Sequence, residues 1–105
     1  MENFADLINK LPDNFDFEKA KGINALVQFS ISGEGGGEWA VNVNDGHITV
    51  EQGKHPQPQL TIKASADDAV KLMEGKLNPM NAFLTGKVKA IGDIGLGMKL
   101  LNLIQ

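Results

Sequence analysis

Apolar residues recur with a helical period at the start of the chain. Phe4, Leu7, Ile8 and Leu11 fall at i, i+3, i+4 and i+7, and Pro12 ends the stretch. Residues 16–22 predict a second short helical turn closed by Gly22. The period then becomes two. Ile23, Ala25, Val27, Phe29 and Ile31 alternate with Asn24, Gln28, Ser30 and Ser32, interrupted at Leu26, which predicts a strand buried on one face. The run Gly33-Glu34-Gly35-Gly36-Gly37 predicts a turn, since glycine enters positive φ without steric cost. Trp39, Val41 and Val43 mark the next strand, and Asn44-Asp45-Gly46 predicts a hairpin leading into Ile48 and Val50. A polar loop, Gln52 to Pro58, precedes a fourth strand with Leu60, Ile62 and Ala64. Four short strands in series with tight turns predict an antiparallel meander, apolar on one face.

Helical spacing returns after Ser65, which with Asp68 forms a capping pair. Val70 and Met73, flanked by Ala66, Ala69 and Leu72, give this helix its apolar stripe, and Gly75 stops it. Asn78 caps a short helix that begins at Pro79 and ends at Gly86. Val88 and Ala90 predict a fifth strand, and Asp93 caps a last helix that runs to the C-terminus. On a wheel of about 100° per residue, Gly95, Lys99 and Asn102 share an arc of about 60°. Ile94, Leu96, Gly97, Met98, Leu100, Leu101, Leu103 and Ile104 fill an arc of about 220° on the same wheel. A surface helix needs about 100°. Something beyond the small scaffold must cover the excess: other helices, a second subunit, a membrane or a bound apolar molecule. Met73, Met80 and Met98 lie in the same half of the chain and adapt to irregular apolar shapes.

A chain of 105 residues is one domain, residues 1–105, with no internal repeat. No apolar run approaches the roughly 20 residues of a membrane span. All ten basic residues are Lys and the net charge is −3, which argues against a nucleic-acid binder. The charge is uneven. Residues 1–53 carry three Lys against nine acids, a balance of −6, whereas residues 54–105 carry seven Lys against four acids, a balance of +3. The second half could present a weakly basic face to anionic head groups. Zero Cys excludes disulfides, thiolate nucleophiles and Cys-ligated metals. The acidic N-terminus lacks the basic region of a signal peptide, so a cytoplasmic location is expected.

Little in the sequence argues for catalysis. His47 follows a hairpin glycine and His55 sits in a polar loop, with no spacing for a metal site. No cofactor is expected. Ser30 and Ser32 lie on a polar strand face without a Gly-x-Ser-x-Gly elbow. Asp67 and Asp68 complement a helix dipole. The order Gly92-Asp93-Ile94-Gly95-Leu96-Gly97 is not that of a phosphate cradle, and its small residues suit close approach of the helix to the sheet or to a ligand.

From Gly75 to Leu100 the sequence closely resembles the signature half of the sterol carrier protein type 2 family. The spaced elements are Gly75-Lys76-Leu77-Asn78-Pro79, Ala82-Phe83-Leu84-Thr85-Gly86-Lys87-Val88-Lys89, Gly92-Asp93-Ile94-Gly95 and Met98-Lys99-Leu100. The N-terminal half agrees in layout, from Lys21-Gly22 before the first strand to Trp39 in the second and the Asn44-Asp45-Gly46 turn. The C-terminal Leu103-Ile104-Gln105 is not a peroxisomal address, and the chain is similar to stand-alone, prokaryotic-type members.

The resemblance implies an α+β fold with a five-stranded, mainly antiparallel sheet covered on one face by helices. An apolar tunnel would lie between the layers. It also implies non-enzymatic binding and transfer of fatty acids, acyl-CoA, phospholipids or sterol-like molecules. The expected wall residues are Met80, Phe83, Leu84, Met98 and Leu101, with Leu72 and Met73 behind them. Lys76, Lys87 and Lys89 are head-group candidates by charge. Expected partners are the apolar ligand and, transiently, a membrane surface. The alternative is an accessory interaction module whose apolar surface is buried by a partner protein or by a second copy in a homodimer.

Overall fold

The computed structural model describes residues 3–10 and 21–103, with backbone alone at Pro79, Met98 and residues 100–103. Helix α1 (Phe4–Asn9) is followed by strands β1 (Asn24–Ser32), β2 (Gly37–Asn44), β3 (His47–Gln52) and β4 (Leu60–Ser65). Then come helix α2 (Ala66–Met73), helix α3 (Pro79–Leu84), strand β5 (Val88–Gly92) and helix α4 (Ile94–Leu103). The second turn expected over 16–22 falls mostly on residues 11–20, outside the described residues.

The five strands form one mixed sheet in the order β3-β2-β1-β4-β5. β1 and β4 run parallel, and the other three pairings are antiparallel. The meander expected from the sequence is therefore corrected: β4 does not pair with β3 but crosses beneath β2 and β1 to lie on the far side. Seven residues of loop can reach about 23 Å when extended, and three strand spacings amount to about 14 Å. The polar stretch that reads as a simple loop is long enough for a crossover.

One residue holds that crossover in place. Gln28 on the outer face of β1 is only 4% exposed. Its Nε2 donates to the Gly53 carbonyl at 3.0 Å and to Glu38 Oε2 at 3.1 Å, and its Oε1 accepts from the His55 amide at 2.9 Å. Ser30 Oγ donates to the other oxygen of Glu38 at 2.8 Å. A buried amide left without partners would cost about 1–3 kcal/mol. Here every polar atom is used. Gln59 completes the seam, since its Oε1 accepts from the Leu26 amide at 2.8 Å and its amide donates to the Leu26 carbonyl at 2.9 Å. Leu26, which breaks the alternation in sequence, sits half-buried where this loop arrives.

The inner face of the sheet carries Ala25, Val27, Phe29 and Ile31 from β1 and Trp39, Val41 and Val43 from β2, in matching register. Leu60, Ile62 and Ala64 continue it on β4, and Val88 and Ala90 on β5. The β2–β3 hairpin turns on Asp45 (φ 48°) and Gly46 (φ 89°), the positive-φ pair of a two-residue type I′ turn. The helices lie on the inner face. α2 packs against α1, β1 and β4; α3 packs on β5; and α4 packs on β4 and β5. α1 begins with a capping box between Asn3 and Asp6. Its Phe4 ring lies 5.1 Å from Trp39, edge-on, and 6.3 Å from Phe29. This aromatic cluster closes the β1–β2 part of the core.

Candidate functional site

The other end of the inner face is roofed by three helices, each started by a local device. Ser65 Oγ accepts from the Asp68 amide at 3.2 Å at the head of α2. Asn78 Oδ1 accepts from the Met80 and Asn81 amides at 2.9 and 3.1 Å, with Pro79 at the first helical turn of α3. Asp93 Oδ1 accepts from the Leu96 amide at 3.0 Å and starts α4. Asp93 is thus occupied as a cap. The small residues that follow it permit close packing: a Cβ on Gly97 would stand 3.3 Å from Leu60 Cδ2. Gly97 serves helix–sheet approach, whereas a Cβ on Gly95 would meet only Asp93 Oδ1, at 3.4 Å.

How α3 meets β5 is the most telling feature. Ala82 is fully buried at 0% exposure, whereas Met80, Phe83 and Leu84 are 37%, 43% and 73% exposed. At about 100° per residue, Met80 and Leu84 each stand about 160° from Ala82. The helix sets its alanine on the strand and turns its larger side chains outward. α2 likewise buries Ala69, while Leu72 and Met73 are half-buried against the core, as are Leu77 in the α2–α3 connection and Leu96 on α4. Fully burying a Leu, Phe or Met side chain would contribute about 1.5–3 kcal/mol, far more than an alanine. A domain with no further partner has reason to choose the opposite arrangement.

The expected wall residues therefore fall into three groups. Leu72 and Met73 sit at the edge of the core. Phe83 stands on the flank of α3, and Met80 and Leu84 on its outward side. Met98 and Leu101 lie on α4, with their side chains outside the described ones. Ile91 and Ile94 are also exposed, at 53% and 43%. Ile91 was not among the expected residues, although the alternation of Val88 and Ala90 on β5 already places it on the opposite face. Scattered exposed apolar residues are ordinary. Among the described residues, however, the exposed large ones all fall between residues 80 and 94. Two surface depressions lie elsewhere. One of about 300 Å³ is lined by Asn24, Leu26, Asn42, Asn44 and Gln59, and one of about 340 Å³ by Ser32, Glu34, Ser65 and Asp67. Neither is bordered by Leu72, Met73, Met80, Phe83 or Leu84.

Both histidines are exposed, and His55 Nδ1 accepts from the Gln57 amide at 3.1 Å within its loop. Among the described residues no three His, Asp or Glu side chains converge to hold a metal, and no helix is long and apolar enough to cross a membrane.

Known proteins match both sequence and fold. Sterol carrier protein 2 from Bos taurus is 37% identical over 103 residues, which cover 95% of this chain and 19% of that protein. Hydroxysteroid dehydrogenase-like protein 2 from Bos taurus is 34% identical over 94 residues, covering 89% of this chain and 22% of that protein. The chain thus spans a small part of the curated relatives it matches. The solution structure of palmitated SCP2L2 from Aedes aegypti superposes with a TM-score of 0.80 at 22% identity, covering 97% of this chain and 91% of that one. The sequence profile of the SCP-2 sterol transfer family matches residues 4–105. The chain belongs to the SCP-2 sterol transfer family.

Proposed function

We propose that this chain is a non-enzymatic lipid-binding and lipid-transfer domain acting in the cytoplasm. Fatty acyl chains, acyl-CoA, phospholipids or sterol-like molecules would be held in an apolar site between the sheet and helices α2, α3 and α4. The observation that carries the reading is the burial pattern of α3: Ala82 is fully buried on the strand, whereas Phe83, on the flank of the helix, keeps 43% of its surface open. Family membership supports it, as does the palmitated state of the mosquito relative.

The site would work by burial alone. Each methylene of an acyl chain removed from water contributes about 0.8 kcal/mol, against which the cost of immobilising the ligand is set. A chain drawn from a bilayer is already out of water, so the net preference for the protein is small. Modest affinity suits a carrier that must also release. Leu72, Met73, Phe83, Met98 and Leu101 offer no hydrogen-bonding group with which to reject a near-isostere, so broad selectivity follows.

A second reading has its own observation. In the two bovine relatives the matching stretch is 19% and 22% of a longer protein, so the domain can serve as an accessory module beside an enzyme or pair with a second copy. Native mass spectrometry separates the readings. Co-purified lipid mass on a monomer supports the carrier, and an empty dimer supports the module. Phe83→Trp should lower lipid uptake by about tenfold or more while the circular dichroism is unchanged; undiminished uptake would contradict the wall.

A further inference from the structure

The two edges of the sheet differ in how they are protected. β5 is flanked by α3 and α4 and carries Lys89. Lysine on an edge strand discourages pairing with another chain. β3 lacks such guards. Its run His47-Ile48-Thr49-Val50-Glu51-Gln52 holds no Lys, Pro or Gly, and all six residues keep register with β2 without a bulge. Ile48, Thr49 and Val50 are β-branched, which suits further strand pairing. The main packing of β3 is with β2.

The ladder shows which backbone groups β3 leaves open. Just beyond the strand, the Gly53 amide donates to the Glu38 carbonyl at 2.8 Å. In an antiparallel pair such bonded positions alternate, so Glu51, Thr49 and His47 turn their amides and carbonyls to β2. Ile48, Val50 and Gln52 turn theirs to the open side. Among the described residues no strand lies there. The side chains of Ile48 and Val50 pack against the core on the inner face but are only half-buried. Backbone and side chains of the same two residues are thus left incomplete at one edge.

We propose that β3 pairs antiparallel with β3 of a second copy, about a two-fold axis that passes through Thr49. The strand is complementary to itself in that register. Ile48 faces Val50 of the second copy, and Val50 faces its Ile48, so the half-buried apolar pairs close each other while their open amides and carbonyls bond across the seam. Thr49 faces its own counterpart, and threonine pairs are favourable there. His47 faces Glu51 of the second copy, so the one carboxylate of the strand meets an imidazole and not another carboxylate. A slip of two residues either way sets Ile48 against Gln52 or Val50 against Gly46 and loses the match. The axis is perpendicular to the sheet, so both helical layers stay on one side and the two β5 edges become the far ends. Each copy keeps its own proposed ligand site. A dimer joined here carries lipid on each chain, which separates it from the empty dimer of an accessory module.

The test combines sedimentation with cysteine cross-linking of the whole chain. One strand pair buries less than the roughly 1,600 Å² of a standard interface, so monomer should pass to dimer between about 5 and about 500 µM. Thr49→Lys sets two ammonium groups across the axis and should raise the dissociation constant about fivefold or more. Its circular dichroism and its titration with a fluorescent fatty acid should match the parent. The chain has no Cys, so a thiol introduced at Thr49 can oxidise only with its copy. Thr49 sits in a non-bonded pair with Cα atoms about 4.5 Å apart, within reach of a disulfide. Residue 51 and its copy would be about 14 Å apart, out of reach. Mild oxidation should therefore link Thr49→Cys at least about tenfold faster than Glu51→Cys. Should T49K lose its fold, the cysteine pair decides alone. A parent that stays monomeric, equal cross-linking of the two cysteine variants, or a dimer indifferent to T49K overturns the proposal. So does a dimer that only Leu84→Ser dissolves, which would place the contact on α3. Cross-linking through Thr49→Cys in a chain that binds no fatty acid would remove the carrier reading and leave the strand pair standing.

Discussion

Above β1 and β2, helix α1 lowers Phe4 onto Trp39 and Phe29, with centroid separations of 5.1 and 6.3 Å, and Phe4 and Trp39 are 2% and 4% exposed. Above β5, helix α3 lowers Ala82 and leaves Phe83 and Leu84 outside. Both helices have six residues, and both cover the same face of the same sheet. One is built to hold the domain together. The other leaves its large side chains open, and in the proposed function another apolar body completes that interface. The proposed function thus divides stability and ligand binding between the two ends of one core.

Mutations at the two ends should separate accordingly. Trp39→Ala removes the centre of the aromatic cluster and should cost about 3–5 kcal/mol. Urea denaturation would register this as a large fall in midpoint, and a loss below about 1 kcal/mol would erase the contrast between the two ends. Gly97→Val forces a side chain against Leu60, whose Cδ2 lies 3.3 Å from the Cβ position. Overpacking there should cost about 1–3 kcal/mol, read in the same assay. Asn78→Ala removes the acceptor for two amides of α3 and should cost about 1 kcal/mol. Since α3 carries Phe83, fatty-acid affinity should fall with it. Leu84→Ser, at the outward end, should change stability by no more than about 0.5 kcal/mol. A larger destabilisation would show Leu84 to be part of the fold, and the inverted reading of α3 would fail.

Sequence made the local devices plain. Asn44-Asp45-Gly46 forms its hairpin, and Ser65, Asn78 and Asp93 each cap the helix they precede. Such features depend on a handful of adjacent residues, where backbone preference decides. The close approach that Gly97 permits was also readable, because a helical glycine before an apolar run has few other uses. The course of β4 was not. Whether Leu60 pairs with β3 or crosses to β1 depends on Gln28 meeting Gly53 and His55, residues 25 and 27 positions away. Nothing in the spacing of Gln28, Glu38 and Ser30 marks them as a buried cluster until the β1–β2 register aligns Ser30 with Glu38. Near the site, the apolar residues of α3 could be named from its sequence. Their direction could not, because Ala82 and Leu84 are equally compatible with facing the sheet until tertiary packing chooses between them.

Hydrogen exchange with and without a bound fatty acid tests the central claim most directly. If a lipid completes the apolar interface at the β5 end, amides of α3, β5 and α4 should exchange markedly more slowly when oleate is added. Those of α1, β1 and β2 should change little. Protection spread evenly over the chain, or confined to the Phe4–Trp39 end, would contradict the division of labour.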